Sequence, residues 1–77
     1  MNVMTKVTKP EDVGTLIRQR RKMAGLTLQQ AAGLAGVGVR FLSELERGKR
    51  TIQFGMAIDI LQLFGFEVFV RAKGQPS

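Results

Sequence analysis

The stretch that decides the fold is TLQQAAGLAGVGVRFLSELERG, residues 27–48. Gly36 stands between two helix-like runs, with Ala32 four residues before it, Val37 directly after, Leu42 six after and Leu45 nine after. This spacing predicts two short helices, over 28–35 and 39–47, held across a tight turn. Gly36 can take the left-handed conformation that ends the first helix, which a side chain would resist. Ala32 is small enough to let the second helix cross closely. Ala31, Ala35, Val37, Leu42 and Leu45 fill the remaining apolar positions, so the pair buries one shared face and leaves the other wet. Thr27 with Gln30 forms a capping box that opens the first helix, and Gly48 closes the second.

Charge says what the wet face is for. The net charge is +6. Residues 1–17 carry two Lys against two acids, and residues 51–77 carry Arg71 and Lys73 against Asp59 and Glu67, so both ends are neutral. Residues 18–50 hold eight basic residues against Glu44 and Glu46, which puts the whole excess on the two-helix unit and the helix before it. A polyanion is the direct inference, because Lys and Arg that neutralise phosphates release counterions. A basic face that serves only solubility, or a helical hairpin with no nucleic-acid role, are the competing readings. The coincidence of charge with helix-turn-helix geometry favours DNA.

Size and composition bound the rest. Seventy-seven residues make one small domain, marginal in the surface it can bury alone, so oligomerisation is expected. The chain has no Cys, hence no disulfide framework and no thiolate metal site. The N-terminus lacks a long apolar run, and the most hydrophobic later stretch, IDILQLFGFEVFV, is interrupted by Asp59, Gln62 and Glu67. Neither a secretory signal nor a membrane span is expected, and the expected location is the cytoplasm. With no His or Cys, no phosphate-cradling glycine motif, and Glu44 and Glu46 pointing to different faces of a helix, the sequence is not that of an enzyme and calls for no cofactor or metal.

The flanks read as support. Residues 1–7 are expected to be a flexible arm, residues 8–65 the DNA-binding domain, residues 66–71 a dimerisation strand and residues 72–77 a flexible tail. Thr8-Lys9-Pro10-Glu11 reads as a helix start, with Thr8 as cap, Glu11 completing a capping box and Pro10 in the first turn; capping is preferred to an acid/base pair for Glu11 and Asp12. This first helix runs to about Ala24, with Val13, Leu16, Ile17 and Ala24 on one face, and Gly25 stops it. Phe54 to Phe64 reads as the last helix, with Met56, Ile60, Leu61 and Phe64 in an apolar stripe broadened by Ala57 and Ile58. After Gly65, Phe66-Glu67-Val68-Phe69-Val70-Arg71 alternates with period two. A lone strand needs a partner, most economically the same strand of a second copy through Phe66, Val68, Phe69 and Val70; pairing with residues 3–7 is the rival. The expected fold is therefore mainly α, four helices and one C-terminal strand.

With residues 39–47 in the major groove, the first turn and outer face present Gly38, Val39, Arg40, Ser43 and Glu44 to the bases. Arg40 can contact guanine bidentately, Val39 a thymine methyl, and Ser43 can donate or accept. Glu44 either accepts from cytosine N4 or repels phosphate and so sets register. Phosphate contacts are expected from Thr27 and Gln29 at a helix N-terminus, from Arg18 and Lys22, four apart on one face, and from Lys49 and Arg50 in the following loop. Arg21 lies where Glu46 could reach it, and Arg20 reads as a solvated charge.

The run LIRQRRKMAGLTLQQAAGLAGVGVRFLSELERGKRT, residues 16–51, resembles the helix-turn-helix domain of the Cro/phage-repressor (XRE) family. The helix that follows and the FEVFV segment resemble the HipB branch of antitoxins, and the match covers about residues 8–71. The resemblance implies a lambda-repressor-like, four-helix fold and a homodimer that represses its own operon from a palindromic operator, with half-sites about one helical turn apart. For the branch it also implies a HipA-type kinase toxin as partner, so that the chain is either chiefly a repressor or chiefly an antitoxin. It further implies a buried Arg21–Glu46 salt bridge, a phosphate anchored at Thr27 and base reading by Gly38, Val39, Arg40, Ser43 and Glu44. Two departures stand out: Leu28 replaces a Gln that bonds phosphate, and Gly38 replaces a Ser, Thr or Lys.

Overall fold

The computed structural model describes residues 4–74. Four helices follow in order: α1 (Pro10–Met23), α2 (Leu28–Ala35), α3 (Val39–Glu46) and α4 (Phe54–Leu63). The expected arm and tail lie partly outside the described residues, at 1–3 and 75–77; residues 4–8 have no regular secondary structure.

α1 begins one residue later than its sequence suggests. Lys9 is the cap, Pro10 takes the first helical position and Asp12, not Glu11, occupies the third. Its Oδ2 accepts from the backbone N–H of Thr8 at 2.9 Å and of Lys9 at 3.3 Å, and from the Thr8 hydroxyl at 3.1 Å. A short carboxylate three residues past the cap reaches back where the longer Glu11 is out of register. These bonds, the Thr8 N–H foremost, hold the Asp12 carboxyl below its ordinary pKa. At the other end α1 stops at Met23, so Ala24 leaves the apolar face expected for it and is exposed.

α2 has the bounds read from the sequence, and both halves of its capping box form: Gln30 N–H donates to Thr27 Oγ1 at 3.1 Å and Thr27 N–H to Gln30 Oε1 at 2.9 Å. Gly36 caps it with φ +70°, and the Val37 N–H closes back on the Ala32 carbonyl at 3.0 Å. α3 ends at Glu46, one residue short of the expected Arg47, which becomes its cap, and α4 likewise ends at Leu63, ahead of Phe64.

The core comprises Ile17, Ala31, Ala32, Leu42, Leu45, Ala57, Ile60 and Leu61, with Val13, Ala35, Val37, Phe41, Ile58 and Phe64 packed around it. Each of its buried Leu and Ile side chains contributes about 1.5–3 kcal/mol by leaving water. α4 therefore belongs to the same core as the two-helix unit. Gly14 of α1 sets a close approach to α3: a Cβ there would stand 2.5 Å from the Leu45 carbonyl oxygen and closer still to that of Glu46. A second close approach, of Gly48 (φ +80°) onto Glu11, locks the end of α3 against the start of α1.

The strand expected at residues 66–71 is not formed in the single chain, and no strand occurs among the described residues. A strand is defined by its ladder, and four helices offer no sheet edge. Residues 66–72 run on after α4 without regular structure; Phe66 packs on the core, while Phe69 is 80% and Val70 98% exposed. Of the rival pairing segment, residue 3 is outside the described residues and Val7 is exposed.

Candidate nucleic-acid interface

α3 is positioned by burying Leu42 and Leu45 against α1 and α2, which turns its other face outward. That outer face begins at Gly38, exposed and the cap of the helix, without a side-chain cap bond. Val39 is partly exposed, Ser43 half-buried, and the Arg40 side chain is 90% exposed. Glu44 sits lower, its side chain 20% exposed. One of its oxygens, Oε2, is 3.2 Å from Lys49 Nζ and 3.6 Å from Arg40 Nε. The Lys49 ammonium, then the Arg40 guanidinium, hold the Glu44 carboxyl below its ordinary pKa. Lys49, read from the sequence as a phosphate contact, is thereby tied to Glu44, and its N–H also donates to the Glu44 carbonyl at 3.1 Å.

At the start of α2, Thr27 Oγ1 accepts from Gln30 and keeps its own proton to donate. The first N–H groups of the helix have no intrahelical partners, and Gln29 beside them is exposed. Arg18, Lys22 and Arg50 are exposed and enter no ion pair among the described residues.

The remaining arginines of α1 have other work. Arg21 donates from Nε to Glu46 Oε2 at 2.7 Å, from Nη2 to Glu46 Oε1 at 3.0 Å and from Nη1 to the Leu26 carbonyl at 2.9 Å. The two side chains are 10% and 6% exposed, so this fork joins α1, the loop after it and α3 beneath the surface. The Glu46 carboxylate raises the pKa of the Arg21 guanidinium. Arg20, which the sequence presents as a solvated charge, instead donates from Nη1 to the Phe64 carbonyl at 2.8 Å and lies 4.4 Å from the centroid of the Phe66 ring. Its partners are more than forty positions away, and only the aromatic pair flanking Gly65 hinted at a cation's seat.

A family model described as helix-turn-helix matches residues 17–69. The chain is 40% identical over 70 residues, 91% of its own length and 92% of the relative's, to an uncharacterized HTH-type transcriptional regulator, y4mF, of Sinorhizobium fredii (strain NBRC 101917 / NGR234). Among solved structures, a complex of a HipB variant with a 20mer superposes with a TM-score of 0.78 at 17% identity, covering 92% of this chain and 99% of that one. A second HipB complex with a 20mer gives 0.77 at 17% identity over 91% and 99%. At this identity the likeness to both is one of fold.

Proposed function

Because the chain belongs to the XRE-type helix-turn-helix family of DNA-binding transcriptional regulators, we propose that it is a dimeric, sequence-specific repressor of its own operon, acting in the cytoplasm through a palindromic operator. The observation that carries this reading is the outer face of α3, where an Arg40 side chain 90% free of protein stands amid a region holding the chain's entire positive excess. Arg40 reads guanine, Val39 a thymine methyl, and Ser43 and the Gly38 backbone complete the base contacts. Arg18, Lys22, Thr27, Gln29 and Arg50 meet phosphates and set register, joined by Lys49 at the rim.

Dimerisation through residues 66–71 supports a two-fold operator. Val68, Phe69 and Val70 are 45%, 80% and 98% exposed, an apolar cost in water that pairing with a second copy relieves. In a second reading the chain is an antitoxin that holds a HipA-type kinase, with DNA binding used for autoregulation; the fold shared with HipB favours it. A kinase-like reading frame beside the gene, and a complex between the two products, would establish that reading.

The test is binding of the purified protein to DNA upstream of its own gene and to a shuffled duplex of equal length, across a salt series. A complex that survives physiological salt, with the shuffled duplex at least ~10³ weaker, supports the repressor. Equal, steeply salt-sensitive binding to both would overturn it.

A further inference from the structure

We propose that Glu44 is a positioning residue for Arg40: its carboxylate holds the guanidinium by the Nε edge, so that the two terminal nitrogens meet a guanine as a prearranged fork. The inference rests on α3 being the recognition helix and adds to that reading a device by which one base pair is discriminated.

Glu44 follows Arg40 by one helical turn, the spacing at which side chains meet. The distance between them is 3.6 Å, from Arg40 Nε to Glu44 Oε2, and an end-on bidentate guanine contact, made by the two terminal nitrogens, leaves Nε free for the carboxylate. Lys49 fixes Glu44 in turn. Its ammonium takes the same oxygen at 3.2 Å, and its N–H is bonded to the Glu44 carbonyl, so the loop after α3 braces the carboxylate from behind. The side-chain exposures of 90%, 20% and 47% for Arg40, Glu44 and Lys49 place the carboxylate beneath two cations rather than at the tip of the surface. A free arginine loses rotamer freedom when it meets a base, and a buttressed one has lost part of it already. The ionised carboxylate has a second effect: it repels phosphate wherever Arg40 finds no guanine to offset the repulsion.

These two effects give a signature that a merely structural residue would not. The experiment compares the full-length wild type with Glu44→Ala, Glu44→Asp, Arg40→Ala and the Glu44→Ala/Arg40→Ala double variant, on the upstream DNA with each base pair varied and on the shuffled duplex. Glu44→Ala is expected to bind shuffled DNA more tightly, yet to lose about tenfold in discrimination at the base pair where Arg40→Ala loses it. In the Arg40→Ala background, removing Glu44 should cost no further discrimination. Glu44→Asp keeps the charge but withdraws it from Nε; it should lose discrimination without gaining non-specific affinity, and it serves if the alanine variant fails to fold. Lost preference at a different base pair would make Glu44 a direct base reader and overturn the proposal. So would unchanged discrimination, or losses that add in the double variant. A wild type with no sequence preference at all would instead remove the repressor reading on which the proposal stands.

Discussion

Arg20 of α1 and Phe64 at the end of α4 are joined by a 2.8 Å hydrogen bond from Nη1 to the backbone carbonyl, and the same guanidinium covers the Phe66 ring. The bond satisfies a carbonyl at a helix end and fixes where the chain goes as it leaves the domain. Arg20→Ala should cost about 1 kcal/mol, discounted for exposure from the range for a charged hydrogen bond. Arg20→Lys should lose most of that as well, because an ammonium cannot bond the carbonyl and stack on the ring together. Urea unfolding of the three proteins checks both; a fully stable lysine variant would reduce the contact to simple charge.

Gly14→Ala tests packing against propensity. An exposed Gly in a helix interior gains about 0.5–1 kcal/mol on becoming Ala. Here the added Cβ would collide with the carbonyl oxygens of Leu45 and Glu46, which are backbone atoms and cannot rotate aside. The collision should win, with a loss of at least about 2 kcal/mol by chemical denaturation. A gain would mean that α1 and α3 separate without penalty.

The two-helix unit was legible because every determinant of it is local. The Thr27–Gln30 box, the turn at Gly36 and the apolar spacing of Ala31, Ala32, Leu42 and Leu45 all lie within one short run. The determinants that connect distant segments were not. Gly14 in the sequence reads as an indifferent helical residue, since nothing nearby shows that α3 carbonyls will lie against it. Arg20 and Arg21 are neighbours of one type, yet one binds a helix end and the other a buried carboxylate. Residues 66–71 show the opposite failure: alternation is a statement about side chains, and the four helices of the same chain offer the segment no backbone partner that would make it a strand. The base-contact set is the least determined part, because position on α3 fixes exposure but not which atoms a base meets.

Glu46→Ala leaves Arg21, 8% exposed, charged and without its carboxylate. Breaking such a pair from one side costs about 3–5 kcal/mol, against a total stability that is modest for a chain of this size. The variant should be largely unfolded at 37 °C by circular dichroism. Replacing both partners, Arg21→Met with Glu46→Leu, removes the orphaned charge and should recover most of the loss. Equal destabilisation by the single and double changes would show that geometry rather than charge is what the pair supplies.

Acid should weaken the fold through Asp12 before the core is touched. Its folded pKa lies below the 3.8 of an unperturbed Asp carboxyl. A carboxyl depressed by folding stabilises the native state fully above its unfolded pKa, and that contribution disappears as pH falls through the folded one. Glu44, depressed from 4.5 by Lys49 and Arg40, acts in the same direction. Thermal midpoints should therefore be flat from pH 7 to about pH 5 and fall below about pH 4. Asp12→Asn should lower the midpoint at pH 7 and flatten the acid limb; an unchanged acid limb would assign acid sensitivity to other groups.

Val68→Asp tests the proposed dimer separately from the helix-turn-helix unit. Val68 lies at 45% exposure beyond the last residue packed on the core, so an aspartate there removes no core contact and meets water freely in the monomer. If residues 66–71 pair with a second copy, each new carboxylate is drawn into the apolar interface, and a charge taken out of water without a partner opposes association strongly. Sedimentation should then show monomer at concentrations where the wild type is dimer. The thermal midpoint of the variant at low concentration should equal that of wild-type monomer. Binding to a full operator should drop by orders of magnitude, because the second half-site no longer gains from the effective concentration the first provides, while weak half-site binding persists. An unchanged dimer would place the interface elsewhere, and the exposed apolar residues Leu34 and Leu63, which line two neighbouring grooves, would be the next to replace.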